Sequence, residues 1–525
     1  MRLRSAGPAA WYVDVADAPS PEAAVRIGAL QRALLGRAPG AVRDVVPGYT
    51  NLLIEVRPGT SHTRLRRWLE AAVRAVDEDG GAAQPARRTV TVRYGEDADR
   101  GELETRLGLP WERIAALHAG ALYTVAFLGF TPGFPYLLGL PHELVTPRRD
   151  SPRPRVPAGS VAIAGEQAGI YPSASPGGWW VLGRTDERLF ESSAWPPTRW
   201  AAGDEVRFAA ADRAGARAAP AAPQAEPAGA GAPLGDDRAV PALEVLEAWL
   251  PSATVQAGPR WRVGHFGMAQ AGALDPTALQ LANRAVGNAA DAPALELLAL
   301  PMTLRALEPL TAAVACGGHR LRLEGRPVPC HRGFAWPAGA VLELLPGGRA
   351  HGCASYLALA GGVAAHAYGG SSSTDTRAGV GGSRRALRAG DVLGLGSGRP
   401  GSAPVASGAT VHPRYPARVA LHIHRGPHHD PDIFRRLVTS RFRVAALDRT
   451  GVRLDGPPLP QPAPDIRSEG VPLGALQLPA DGHPIVLLAD RGRTGGYAGP
   501  AVVDVRDLWR LAQAPVGTEV WLTEA

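Results

Sequence analysis

Sixty-three glycines and fifty prolines are spread through these 525 residues, and that punctuation constrains the fold more than any other feature. Glycine and proline end or bend regular elements, so a chain this rich in both is built from many short strands and turns instead of long helices. The effect is strongest in residues 209–240, which are almost wholly Ala, Pro, Gly and charged residues. That stretch has no periodic apolar face and cannot bury enough surface to order itself. It is expected to be a disordered linker between halves of roughly 210 and 285 residues.

In the first half, Ser20-Pro21-Glu22 starts a helix, with serine as cap and proline in the first turn. Ile27, Leu30 and Leu34 line one face and Gly36 ends it. Asn51–Val56 reads as a strand. Leu65, Leu69, Val73 and Val76 mark a second helix, Thr89–Tyr94 alternates as a strand, and Trp111–Leu117 is a short helix leading to His118. From Leu122 to Phe208, short apolar runs between Pro and Gly predict a small barrel or sandwich. In the second half, Asp275-Pro276 opens a helix closed by Gly287. Short strands are expected at Leu243–Leu246, Ala313–Ala315, Val341–Leu345, Tyr356–Ala360, Val419–His424 and Ile485–Leu488, with a late helix over Asp504–Leu511.

Composition excludes several function classes. No apolar run approaches the roughly 20 residues of a membrane helix, and the first residues lack the apolar core of a secretory signal. A soluble, cytoplasmic protein without a membrane partner is expected. Cys316, Cys330 and Cys353 are odd in number and lack CxxC spacing, which favours buried thiols over a disulfide framework or thiolate zinc site. The net charge is +7, but arginines alternate with acids instead of forming a block, so nucleic acid is not an expected partner. The sequence contains no lysine, so all 56 basic residues are arginine. A Walker loop, a kinase-type strand lysine, a Schiff base and biotin attachment all need a lysine. Any phosphate must therefore be held by guanidinium forks, backbone N–H groups or a metal. No GxSxG elbow or HExxH motif occurs either.

Several segments could carry chemistry. LGFTPGFPYLL (128–138) forces irregular backbone between Phe130, Phe134 and Tyr136, which suits either a pocket wall or a rigid turn. In 146–185, Arg148, Arg149, Arg153 and Arg155 suit carboxylate or phosphate. Ser160, Gln167, Tyr171 and Ser175 could line the same cavity, and Gly177-Gly178 allows close approach to an anion. The bland alternative is a solvated basic edge with a glycine hairpin. In the second half, GGSSSTDTRAGVGG (369–382) brackets Asp375 and Arg377 with glycines, as either a phosphate cradle or a flexible loop. Asp448 and Asp490 each end an apolar run and precede an arginine, so they suit Mg²⁺ ligation, base chemistry or structural Asp–Arg turns. His422, His424, His428 and His429 cluster around Pro427, a poor frame for convergent metal ligands.

Together these segments resemble a known pair of families. Residues 10–208 are similar to the B-type subunit of 5-oxoprolinase (allophanate hydrolase subunit 1, KipI-like) through PGYTNLLIEV, LHAGALYTVAFLGFTPGFPYLLGLP and VPAGSVAIAGEQAGIYPSASPGGWWVLGRT. Residues 243–523 are similar to its C-type subunit (allophanate hydrolase subunit 2, KipA-like) through AGALDPTALQLANRAVGN, SSSTDTRAGVGG, DRTGVRLDGPPL and SEGVPLGALQLPADGHPIVLLADRGRTGGY. The chain departs from the usual pattern at Arg93, Ala257 and His428. The same modules resemble the carboxyltransferase region of urea carboxylase.

The resemblance implies a mainly β fold, with an α+β N-terminal part and cyclophilin-like β-barrels in both halves. The expected units are a small α+β domain (1–95), a barrel (96–208), the linker (209–240) and a C-type half of two barrel-like lobes (241–525). The implied activity is ATP-dependent opening of 5-oxoproline to glutamate, with ATP, Mg²⁺ and a separate protein like the A-type subunit of 5-oxoprolinase. A homo-oligomer is also an expected state. On this view Arg153, Arg155 and Arg377 are candidate anion clamps, and Gly177, Gly178, Gly495 and Gly496 candidate backbone donors. Asp375 and Asp490 are candidate Mg²⁺ ligands, and His118, Asp448 and Asp490 candidate catalytic groups. Phe134, Tyr136, Ser160, Gln167, Tyr171, Ser175 and Tyr497 complete the expected site. Two alternatives are carboxyl transfer to a urea-like amide with a separate biotin carrier, and KipI/KipA-like regulation of a sensor kinase.

Overall fold

The computed structural model describes residues 2–78, 85–211, 239–249, 253–298, 300–315, 317–347, 352–396, 418–460 and 466–525, together with Leu234. Most of the expected linker lies outside the described residues. Its first two residues complete the strand Glu205–Ala210, and Leu234 makes an isolated parallel bridge to Leu393.

The N-terminal unit is an antiparallel sheet in the order Arg2–Ser5, Ala10–Asp14, Asn51–Val56, Val42–Pro47. Two helices, Pro21–Gly36 and His62–Glu78, pack on it. The first is nucleated as its sequence predicts, with Ser20 Oγ accepting from the Ala23 N–H at 3.1 Å. Its Ile27, Leu30 and Leu34 share one core with Val45, Leu52, Ile54, Leu65 and Leu69.

A closed seven-stranded barrel follows, in the order Gln167–Ile170, Pro135–Leu138, Leu122–Leu128, Glu205–Ala210, Arg87–Tyr94, Trp180–Arg184, Ser160–Ala164. It begins at Arg87, inside the unit the sequence assigned to the N-terminal domain. Arg87–Tyr94 runs parallel to Glu205–Ala210, a partner 118 residues away. Local alternation reveals such a strand but not which sheet it joins.

The second half holds one sandwich and one barrel. A six-stranded and a five-stranded sheet face each other over a single core that includes Leu243, Val255, Leu304, Val314, Leu342 and Leu357. Short alternating strands look the same whether a sheet closes or pairs with another, so only the structure separates this sandwich from the expected second barrel-like lobe. The closed barrel runs Arg418–Arg425, Ala498–Val503, Ala475–Leu478, Ile485–Leu487, Gly451–Asp455, Arg441–Leu447, Glu519–Glu524. Its helix Pro431–Thr439 is capped by Asp430, whose carboxylate accepts from the Asp432 and Ile433 N–H groups. The late helix is shorter than expected, Leu508–Ala512. Cys330 is disulfide-bonded, against the expectation of buried thiols, and Cys353 is a free thiol.

The halves are joined through buried charge. Fully buried Arg491 and Arg493 of the second half meet Glu55 and Asp44 of the first. Arg491 Nη2 donates to Glu55 Oε1 at 2.6 Å, and Arg493 Nη2 to Glu55 Oε2 at 2.5 Å and Asp44 Oδ2 at 3.2 Å. Gln270 Nε2 adds a donor to Glu55 at 2.6 Å, and the Gly264 N–H caps Asp44 at 3.1 Å. Asn51 reaches Glu469 at 2.9 Å. Breaking one partner of such a cluster costs about 3–5 kcal/mol, because the remaining charge stays buried and unpaired.

Candidate functional site

A pocket of ≈ 270 Å³ opens in the first barrel, lined by Phe130, Phe134, Tyr136, Tyr171 and Trp179, the arginines 148 and 149, and the turn carrying Gly177 and Gly178. The aromatic walls hold one another edge-on, with Phe134 centred 5.0 Å from Tyr136, 5.2 Å from Tyr171 and 5.4 Å from Trp179. Gly177 is a packing requirement here, since a Cβ on it would overlap the Tyr171 hydroxyl. Burial pushes the Tyr136 and Tyr171 phenols up to about 12, partly opposed by arginines. Both are therefore protonated donors at neutral pH.

One cation at this pocket is unspent. Arg148 is exposed and has no hydrogen-bond or ion-pair partner among the described residues, yet its charge is felt by buried Tyr49, Tyr136 and Tyr171. Its neighbour Arg149 pairs with Glu102 and lies over the Trp180 ring at 4.5 Å. The two arginines of this half expected to act as clamps sit elsewhere. Arg153 forms a fork on Asp99 at 2.8 and 2.7 Å and donates to the Trp179 carbonyl, while Arg155 is exposed on its strand and does not line the pocket. Gln167, half-buried, and Ser160 and Ser175, whose buried hydroxyls lack partners, lie outside the lining as well.

In the second half, the candidate residues gather without forming an open site. Asp375 closes a tight turn, its Oδ1 accepting from the Arg377 and Ala378 N–H groups, each at 3.1 Å. Its Oδ2 is buried without a partner. Burial and nearby Asp490 raise its pKa. Asp490 gives both oxygens to Arg449, at 2.7 and 2.9 Å, and Arg449 also bonds Glu296. Asp490 is thus already paired with a cation, and one oxygen of Asp375 is left without a partner. Among the described residues, no group of three or more His, Cys, Asp or Glu is placed to hold a metal. Arg377 reaches Thr450 Oγ1 at 3.4 Å. Asp448 folds onto its own turn, accepting from the Thr450 and Gly451 N–H groups. Gly495 lies in a two-residue ladder with Glu469, Gly496 packs beside the Ile466 carbonyl, and Tyr497 is exposed.

Comparison with known proteins agrees with this division. Models described as "Carboxyltransferase domain, subdomain C and D" and "Carboxyltransferase domain, subdomain A and B" match residues 1–200 and 266–524. The chain is 40% identical over 176 residues to the 5-oxoprolinase B-type subunit of Escherichia coli O157:H7, covering 32% of this chain and 77% of that protein. It is 34% identical over 283 residues to the 5-oxoprolinase C-type subunit of Escherichia coli K12, covering 53% of this chain and 89% of that one. The chain belongs to the family of 5-oxoprolinase B-type and C-type subunits, fused. The crystal structure of TTHA0988 in space group P212121 matches over 100% of both chains, at 40% identity and a TM-score of 0.86. A fused arrangement of the whole length therefore exists in a solved relative.

Within this family frame, the B-like half carries the open pocket and the C-like half the closed carboxylate cluster. His118 joins neither. It is fully buried in the B-like barrel, with Nδ1 2.7 Å from the Tyr94 hydroxyl and Nε2 unpartnered. Burial pushes its pKa down to about 3, so it is a neutral core group sealed from any ligand. The sequence displays Arg148 but does not rank it above Arg153. All the arginines of that segment sit among the same turn residues, and only the fold shows which one Asp99 takes. Glu55, Gln270 and Phe266, which tie the halves together, have no local pattern to mark them.

Proposed function

We propose that this chain is the fused B-type and C-type component of an ATP-dependent 5-oxoprolinase, working in the cytoplasm with a separate A-type partner protein. The observation that supports this most is the pocket of the B-like half, a small aromatic slot with one unpaired guanidinium at its mouth. Its ≈ 270 Å³ lies near the lower end of ligand-site volumes, about 300 Å³ and upward, and suits a single small ring. A lactam bearing one carboxylate matches such a slot. Arg148 would take the carboxylate, the protonated Tyr136 and Tyr171 would donate to oxygen atoms, and the ring would lie against Phe134 and Trp179.

The chemistry needs activation because nitrogen donates into the lactam carbonyl and makes its carbon a poor electrophile. Transfer of a phosphoryl group from ATP to the carbonyl oxygen, with release of ADP, lets water add to the ring carbon. The C–N bond then breaks as a proton passes to the departing nitrogen, and a second water hydrolyses the resulting acyl phosphate to glutamate and phosphate. Lysine is absent from this chain, so guanidinium groups and main-chain amides take the place of an ammonium at phosphate. No step is assigned to Mg²⁺ on Asp375 and Asp490.

The test is phosphate release by the purified chain with a homologue of the A-type partner. Release that requires ATP and 5-oxoproline together supports the reading, and release indifferent to 5-oxoproline sinks it. Carboxyl transfer is the second reading, favoured by the carboxyltransferase family models. It predicts consumption of carboxybiotin from a separate carrier when a urea-like amide is supplied.

A further inference from the structure

The outer wall of the pocket is Phe130, and it is held from the opposite half of the molecule. Phe130 has φ +63°, a left-handed conformation that residues other than glycine seldom adopt. Its ring touches the pocket only edge-on, 5.5 Å from Phe134 and 6.3 Å from Tyr171, and it is 38% exposed. Bonds inside the loop close the turn: Gly129 N–H to the Phe134 carbonyl at 3.0 Å and Phe134 N–H to the Thr131 carbonyl at 3.1 Å. A third local bond, from the Thr131 N–H to the Gly129 carbonyl at 2.7 Å, brackets Phe130 itself, and the C-like half braces this turn from outside.

The C-like half supplies the constraint at three points. The Gly133 N–H donates to the Phe266 carbonyl at 2.9 Å. Gly267 lies so close to the loop that a Cβ there would be 2.9 Å from the Thr131 carbonyl oxygen. Thr494 packs on Gly129, where a Cβ would overlap the Thr494 hydroxyl. Phe266 is itself seated among Val263, Met268, Ala378 and Val380. The turn carrying Asp375 and the loop carrying Phe130 therefore lean on one residue.

We propose that the C-like half sets the closed position of Phe130 and so determines how tightly the B-like pocket holds its ligand, with Thr494 and Phe266 as positioning residues. This rests on the reading of that pocket as the ligand site. A wall ordered before the ligand arrives removes an ordering cost from binding. Fusion of the halves keeps the two sides of this contact together.

The contact between Gly129 and Thr494 gives a direct test in the full chain. Gly129 does not need a positive φ, so alanine is tolerated by the backbone. Its Cβ would lie 2.1 Å from the Thr494 hydroxyl and 3.0 Å from the Phe127 ring, so the hydroxyl is the dominant overlap and the loop is pushed off Thr494. Gly129→Ala should weaken 5-oxoproline binding, read by calorimetry, by about tenfold, comparable to Phe130→Ala. It should also speed amide hydrogen exchange across residues 129–134 while leaving the C-like barrel strands unchanged. Gly129→Ala with Thr494→Ala removes the overlapping hydroxyl and should restore both readouts to within about threefold of the parent. Unchanged exchange in Gly129→Ala, or a double variant as loose as the single, overturns the proposal. If the parent chain itself fails to bind 5-oxoproline, the ligand reading falls, and the exchange data still decide whether Thr494 positions the loop.

Discussion

The two barrels share a plan and differ in what they leave unpaired. Each closes seven strands, and each has one parallel pair, Arg87–Tyr94 beside Glu205–Ala210 and Arg418–Arg425 beside Glu519–Glu524. The first barrel keeps a histidine and tyrosines in its interior and an unspent arginine at its mouth. The second has an apolar core of Leu421, Ile423, Phe442, Val444 and Leu454, and its nearby carboxylates are consumed by Arg449. The fold places loops in equivalent positions, but chemistry is available only where a charged group is not already satisfied by a neighbour.

The comparison can be broken most severely at the joint both barrels share. Glu55→Ala strips Arg491 and Arg493 of their common partner and should cost about 3–5 kcal/mol in urea unfolding. The same site has a pH signature. Burial raises the Glu55 carboxyl, but Arg493 and Arg491 outweigh it and hold it below its usual value of 4.5. Its contribution is thus present above pH about 4.5 and is lost as pH falls through the lowered value. The alanine variant should lack that acid-dependent loss.

A second effect separates the barrels from each other. His118, neutral with a pKa near 3 against 6.5 when free, resists protonation in the fold. Stability is then complete above pH about 6.5 and declines toward pH 3, by about 5 kcal/mol at most. Amide exchange in the first barrel should accelerate on acidification below pH about 6.5. His118→Phe should remove that acceleration while leaving the acid response of the second barrel, where burial likewise holds His428 down to about 4, unchanged. Acid-driven loosening of the first barrel that persists in His118→Phe would contradict it.

Arg148→Met should weaken 5-oxoproline binding about 10- to 100-fold, the worth of one charge-assisted hydrogen bond. The thermal midpoint should hardly move, because Arg148 has no partner to abandon. Arg153→Met should do the reverse, since it leaves Asp99 without its fork. The smallest effect is expected at Asp375. Its raised pKa comes from burial and from Asp490, so Asp375→Asn should change stability by less than about 1 kcal/mol, and any change at neutral pH should be favourable.

Much of the local structure was legible beforehand for physical reasons that act within a few residues. Ser20-Pro21 and Asp275-Pro276 cap helices by bonding N–H groups three positions on. The helix at Pro431 carries the same Asp-Pro signature at Asp430, obscured by the adjacent histidines. The helix Arg100–Leu107 was missed because only Leu103 of its eight residues is buried, which leaves no apolar stripe to read. The pocket was legible in part: Phe134, Tyr136, Tyr171, Gly177 and Gly178 converge in it, and Arg153, Arg155, Ser160, Gln167 and Ser175 do not.

What the sequence determined alone was the inventory: short strands between glycines and prolines, a division near residue 210, and a basic set made wholly of arginine, with no lysine. The tertiary structure decided which strand closes each barrel, which arginine stays free, and which half holds Phe130 in place. Those outcomes depend on partners more than a hundred residues apart, such as Arg493 and Glu55. Pairing across that distance depends on where the backbone brings side chains together, and no local pattern of residues encodes it.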